Sequence, residues 1–185
     1  MSATPLEREI KLRFANPAEA REAIIRVGAT PVRGRRMQDD CLLDTADDML
    51  KRQRCVLRIR MEAGRSLLTY KGPVQPSAMK LREERETVVA DGETLLYILE
   101  LLGFHVWFRY QKYREEFGGE DAIIALDETP IGTFVEIEGS EKGIIDVATA
   151  LGRTQEDYLL DSYRGLYVLH CEQTGATGRD MVFEE

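Results

Sequence analysis

Alternation with a period of two, in which the polar positions carry like charges in pairs, recurs along most of this chain. No other feature constrains the fold as strongly. The stretch "LEREIKLRF" at 6–14 sets the pattern, with Ile10, Leu12 and Phe14 on one side and Glu7, Glu9 and Lys11 on the other. Such alternation is the signature of a strand with one face on a core. Further segments of the same kind lie at 37–43, 54–62, 65–71, 79–89, 105–117, 121–127 and 133–139, about eight strands in all. "EAGR" at 62–65 and "GGE" at 118–120 read as hairpin turns, because glycine takes positive φ at little cost.

Three stretches switch to helical period. In 16–28, Asn16 is placed as N-cap, Pro17 as the first helical residue, and Gly28 as the stop. The segments 91–103 and 140–152 each carry a broad apolar face and end at a glycine. Residues 154–170 predict one or two short helices between Tyr158 and Leu169. Residues 1–171 are expected to form a single domain, and 172–185, with little periodicity, a flexible tail. Mostly antiparallel strands with interspersed helices predict an α+β fold whose large sheet is curled or closed, with helices packed on its apolar outside.

The polar faces then need an account. Glu7, Glu9 and Lys11 share a face, as do Arg58 and Arg60 with Val56 and Glu62 in phase. The same holds for Lys80, Arg82, Glu84 and Glu86, for Lys112 and Arg114, and for Glu136 and Glu138; Lys71 and Asp127 close their strands. A sheet with one wet side shows alternating charge too. Like charges at i and i+2 repel, however, unless something lies between them. Repetition on seven strands therefore favours a charged, hydrated concavity. Fifteen ionised groups could not be buried dry, and an eight-stranded barrel is the size that encloses one small ligand. Carboxylate pairs are hard oxygen donors suited to Mg²⁺ or Mn²⁺. Paired Arg and Lys suit phosphate oxygens.

Composition narrows the classes further. With 33 acidic against 25 basic residues and a net charge of −8, broad nucleic-acid binding is not expected. The three cysteines, Cys41, Cys55 and Cys171, show no metal-ligand spacing and read as reduced thiols. No apolar run is long enough for a membrane span and the start lacks signal-peptide character, so a cytoplasmic protein is expected. The two histidines, His105 and His170, read as packing or surface residues, and no Ser–His–Asp set is evident.

The ordered motifs resemble the CYTH superfamily, or triphosphate tunnel metalloenzymes. They are E-x-E-x-K at Glu7, Glu9 and Lys11, then "LLDT" at 42–45, "LRIR" at 57–60, "YKG" at 70–72 and "LREERE" at 81–86. "QKYRE" at 111–115, "LDETPIGTFVEIE" at 126–138 and "DSYRGLY" at 161–167 follow. The resemblance implies a closed eight-stranded antiparallel barrel that binds a small-molecule triphosphate with Mg²⁺ or Mn²⁺. It casts Glu7, Glu9, Asp127, Glu136 and Glu138 as metal-side carboxylates. Lys11, Arg58, Arg60, Lys71, Lys80, Arg82, Lys112 and Arg114 become the triphosphate cradle, with Glu84, Glu86 and Tyr163 as supporting groups. Lys71, Glu9 and Glu136 are the expected catalytic groups, Lys71 as a polariser of an attacking water. Leu42 and Leu43 depart from the aromatic-Phe pair usual before the Asp. Three activities stay open: a metal-dependent triphosphate hydrolase, a class IV adenylyl cyclase, and a tunnel that binds polyphosphate or nucleotide without turnover. A homodimer is compatible with the apolar "HVWF" around Trp107, although that stretch reads more readily as core.

Overall fold

The computed structural model describes residues 5–184. The first four residues of the expected domain, and the last of the expected tail, lie outside that range. The strands are β1 (Leu6–Phe14), β2 (Thr30–Thr45), β3 (Val56–Glu62), β4 (Arg65–Lys71), β5 (Lys80–Val89), β6 (Phe104–Gly118), β7 (Ala122–Thr129) and β8 (Gly132–Gly139). They close into one antiparallel barrel in the order β1-β5-β4-β3-β2-β6-β7-β8. Five helices join them: α1 (Pro17–Arg26), α2 (Met49–Arg52), α3 (Gly92–Leu101), α4 (Glu141–Ala150) and α5 (Tyr163–Thr174). None of the helices is long and apolar enough to cross a membrane.

Local chemistry sets the helix starts. Asn16 accepts a hydrogen bond from the Glu19 amide at 2.9 Å, Asp91 from Thr94 at 3.0 Å, Ser140 from Gly143 at 2.9 Å and Ser162 from Gly165 at 3.1 Å. Each satisfies a backbone donor that a helix start leaves free. The turn between β3 and β4 has positive φ at both Ala63 (46°) and Gly64 (74°), the pattern that matches the twist of a two-residue hairpin. Gly143 is required for a different reason. A Cβ there would stand 2.6 Å from the Asp121 carbonyl oxygen, so α4 could not lie so close to the start of β7.

Two apolar clusters are buried, the first on the outward strand faces and the second on inward-facing residues at one end of the barrel. Ile10, Leu12, Ile124, Val135 and Ile137 meet Ala20 and Ile24 of α1 and Ile144 and Ala148 of α4. Trimming Ile24 to Ala would cost about 2–5 kcal/mol. The second cluster closes one mouth of the barrel: Tyr163, Leu166 and Tyr167 of α5 pack on Phe108, Tyr110, Phe134 and Met181. Helix α3 is covered less than its apolar face suggests, since Ile98 is 46% and Leu102 69% exposed.

Two expectations are corrected. The strand expected at 37–43 is longer: β2 runs from Thr30 to Thr45, through Pro31 and Gly34. The 15-residue β6 offers pairing along that length, with register shifts between Pro31 and Arg33 and between Arg33 and Arg36. The expected flexible tail is in part docked. Helix α5 runs on to Thr174, and Met181, 1% exposed, exchanges backbone hydrogen bonds with Arg109 and Gln111 of β6 at 3.0 and 2.8 Å. The attachment is available because β7 pairs with β6 only from Tyr113 to Gly118.

Candidate active site

Alternation along the closed barrel turns the charged faces inward, around a cavity of about 530 Å³. All eight expected cradle cations are buried at 9% exposure or less. Lys11 lies in β1, the pairs Arg58 and Arg60, Lys80 and Arg82, and Lys112 and Arg114 lie at i, i+2 positions in β3, β5 and β6, and Lys71 ends β4. The barrel therefore brings together what the sequence spreads over more than a hundred residues.

Carboxylates and cations interleave around the wall. Lys71 Nζ lies 2.7 and 2.8 Å from the two Glu7 oxygens and 2.8 Å from Glu84. Lys80 reaches Glu9 at 2.6 Å. Lys11 bridges Glu9 at 2.8 Å and Glu136 at 3.0 Å, across the β1–β8 register that sets Lys11 opposite Glu136. Arg114 contacts Glu136 at 2.7 Å. Arg58 reaches Thr69 at 3.1 Å and Glu86 at 3.4 Å. The Nε donors of Arg58 and Arg82 make no well-formed hydrogen bond among the described residues, although each faces a carboxylate, Asp40 at 3.4 Å and Glu7 at 3.6 Å. Eight buried cations gathered in one barrel are the chemistry of an anion site.

Asp127 departs from its expected metal-side role. It is fully buried and does not line the cavity. Arg114 holds its Oδ1 at 2.7 Å, while Lys112 at 2.9 Å and the Tyr163 hydroxyl at 2.5 Å share its Oδ2. It anchors the cations and α5 instead of offering oxygens to a ligand. Tyr163 also sets its ring 4.6 Å from Lys112 Nζ and 5.3 Å from Lys11 Nζ.

The electrostatics divide the acids. Burial works to raise Glu9 and Glu136, but Lys11 and, for Glu136, Arg114 hold both well below the usual carboxylate range. Glu7 goes the other way: burial and then the neighbouring Glu9 push it up to about 8, against the pull of Lys71. Glu138, exposed at the rim and in none of these ion pairs, is pushed up to about 7 by desolvation and by Glu136 and Glu84. Among the bases, burial and Arg114 bring Lys112 down to about 7, and burial and Lys11 bring Lys80 to about 8.

A divalent cation fits this donor set by its chemistry. Glu9 faces Glu138 and Lys11 faces Glu136 on adjoining strands, with Glu7 beside them. These carboxylates are hard oxygen donors; Glu7 is held by Lys71, whereas Glu138 is in none of the ion pairs above. Among the described residues no three acidic, imidazole or thiol groups already converge as a finished cage. Lysines occupy that place, so a metal would have to displace Lys11 or Lys80 from Glu9.

Sequence reasoning missed several wall residues. Asp40, fully buried, takes Arg60 at 2.9 Å and Arg58 at 3.4 Å. Glu62, which the alternation sets in phase with Arg58 and Arg60 without a role, is held by Gln38, Arg33 and Arg36. Gln38, Asp40 and Leu42 do alternate, and that was the available signal. Trp107 and Arg164 also line the cavity, and no periodicity announces them.

The chain can now be set beside known proteins. Residues 5–162 match the family model described as the CYTH domain. A candidate adenylate cyclase of Methanocaldococcus jannaschii, MJ0240, is 29% identical over 175 residues, covering 87% of this chain and 99% of its own. Among solved structures, PH1012 of Pyrococcus horikoshii OT3 is similar with a TM-score of 0.74 at 28% identity, over 86% of this chain and 98% of that one. HpAC1 of Hippeastrum, a candidate adenylyl cyclase described as revealing a dominant triphosphatase activity, is similar with a TM-score of 0.66 at 20% identity. It covers 89% of this chain and 96% of its own, a likeness of fold.

Proposed function

The chain belongs to the CYTH domain family, and from that premise we propose that it is a divalent-metal-dependent hydrolase of a triphosphate held inside the barrel. One observation carries the reading. Eight buried cations share one barrel interior with the carboxylates Glu7, Glu9, Glu136 and Glu138, which line the same cavity. A ligand that is both polyanionic and metal-bound satisfies both.

Glu7, Glu9, Glu136 and Glu138 would hold Mg²⁺ or Mn²⁺, which when bound supplies positive charge to the phosphoryl oxygens. The chain's own residues do the rest. Arg58, Arg60, Lys80, Arg82, Lys112 and Arg114 grip the phosphate oxygens, and Lys11 keeps Glu9 and Glu136 ionised. Lys71, placed between Glu7 and Glu84, donates to the reacting oxygens. Water forms the new bond to the terminal phosphorus, the bridging P–O bond breaks, and the shortened polyphosphate leaves. Fixed cations meet the charge that spreads over the phosphoryl oxygens, so positioning and electrostatics suffice.

A second reading, adenylyl cyclisation with the ribose 3′-hydroxyl as nucleophile, is favoured by the apolar stretch of wall at Leu42, Val56 and Trp107, which a bare triphosphate does not need. It is also the activity named for the Methanocaldococcus relative. The deciding assay offers tripolyphosphate, thiamine triphosphate and ATP with Mg²⁺ or Mn²⁺ and measures orthophosphate, pyrophosphate and cyclic AMP. Orthophosphate is the expected product. Cyclic AMP with pyrophosphate selects the cyclase, and absence of every product overturns both.

A further inference from the structure

The structure assigns Trp107 as the platform for the planar ring of an organic triphosphate, a role that rests on the triphosphate reading above and narrows its substrate class. The argument starts from the register of β2 and β6. Leu42 stands opposite Phe108, and Leu43 opposite Val106. Trp107 is thus an extra residue on β6, a β-bulge.

Strict alternation back from Arg114, Lys112 and Tyr110 turns Phe108 inward and would turn Trp107 to the outside. The bulge breaks that rule, and Trp107 lines the cavity with Tyr110 on the same strand. Bulges re-aim single side chains in this way and are common beside ligand sites.

The indole does not stand alone. Leu42 of β2 and Val56 of β3, on strands that run side by side next to β6, also line the cavity and extend the apolar wall. Lys51 Nζ lies 4.1 Å from the indole centroid and restrains the ring, and the Arg164 guanidinium lies 6.0 Å away. The half-buried ring packs on the cluster that α5 forms with β6, and it borders the barrel cavity on one side and a smaller cavity against α5 on another. The next inward-facing residue of β3 after Val56 is Arg58, where the cradle begins. Along β6, Trp107 and Lys112 are five residues apart, roughly 16 Å of strand. A bare triphosphate does not span that wall, whereas an extended nucleoside triphosphate has the length for it. Its phosphates would lie among the cations and its flat base against the indole.

Trp107 is the sole tryptophan of the chain, so its fluorescence reports on this spot alone. ATP and tripolyphosphate are mixed with the full-length protein in Mg²⁺ and read by stopped flow before turnover, with calorimetric titrations in Mg²⁺ and in EDTA. Both ligands are expected to bind. ATP should quench the indole, and excess tripolyphosphate should reverse the quench without producing one. Trp107→Leu is expected to weaken ATP binding about tenfold, the scale of losing one ring-on-aromatic contact, and to leave tripolyphosphate binding unchanged. Trp107→Phe, which keeps a flat ring and guards against a folding defect, should retain most of the ATP affinity. Equal weakening of both ligands by Trp107→Leu, or an unquenched indole with ATP bound, overturns the assignment. Failure of tripolyphosphate to bind the wild-type protein instead removes the cradle reading, and the ring platform falls with it.

Discussion

Glu62 and Glu138 project into the same barrel, yet their surroundings push them in opposite directions. Glu62 is buried among Gln38, Arg33 and Arg36. Burial works to raise it, and its three partners outweigh that and hold it down at about 2. Glu138 has acids for neighbours and rises to about 7. Asp127, with Arg114, Lys112 and Tyr163, belongs with Glu62; Glu7 stands between the two, pushed to about 8 by burial and Glu9 yet held by Lys71. The contrast separates two uses of one residue type. Acids whose oxygens are already taken hold the wall together, and acids short of positive charge are the ones that want a cation from outside.

Substitutions can break that division. Asp127→Asn should be the most damaging to stability. It removes the counter-charge that faces Arg114 and Lys112 while they stay buried, and a loss of about 3–5 kcal/mol is expected in denaturant melts. Glu138→Gln should do the reverse. Its melting temperature should stay close to wild type, while metal-dependent turnover falls on the order of 10²–10³-fold. Should Glu138→Gln instead unfold the barrel at normal activity, the two classes have been misassigned.

Metal addition sharpens the same point. A saturating divalent ion, at roughly 100 times its Kd, should stabilise the wild type by about 2.7 kcal/mol. Glu7→Gln and Glu138→Gln should lose most of that gain in thermal melts, and Glu62→Gln should keep it. Glu62→Gln itself should cost about 1–3 kcal/mol near neutral pH. The sign of its pH dependence follows from a folded pKa below the ordinary 4.5. Its stabilisation is complete above pH 4.5 and drains away as pH falls toward 2, so acid titration of stability in that window should be shallower in the variant. The smallest effect belongs to Tyr163→Phe. It removes one hydroxyl from Asp127, leaves the ion pairs, and should cost about 1 kcal/mol.

How much of this was legible in the sequence depended on whether the cause was local. Strand alternation is local, and it placed Lys11, Arg58, Arg60, Lys80, Arg82, Lys112 and Arg114 on the inner wall as read. The first half of β2 was not legible, because Pro31 and Gly34 speak for a turn and only the long partner β6 overrides them. Asp127 has the right alternation for a metal ligand. What alternation cannot say is that Tyr163, 36 residues later, would arrive to share an oxygen. Trp107 was ambiguous for the same reason: its direction is decided by a one-residue mismatch between two strands far apart in sequence.

The docking of Met181 on β6 has a practical consequence. β7 leaves the upper part of β6 with backbone donors and acceptors facing outward, and the C-terminal segment occupies them. A chain clipped before Met181 would present a bare β edge, an invitation to self-association. It would also lose a side chain packed in the cluster that closes the barrel mouth. Truncations or fusions at this terminus should therefore be judged by aggregation state before any change in catalysis is attributed to the tunnel.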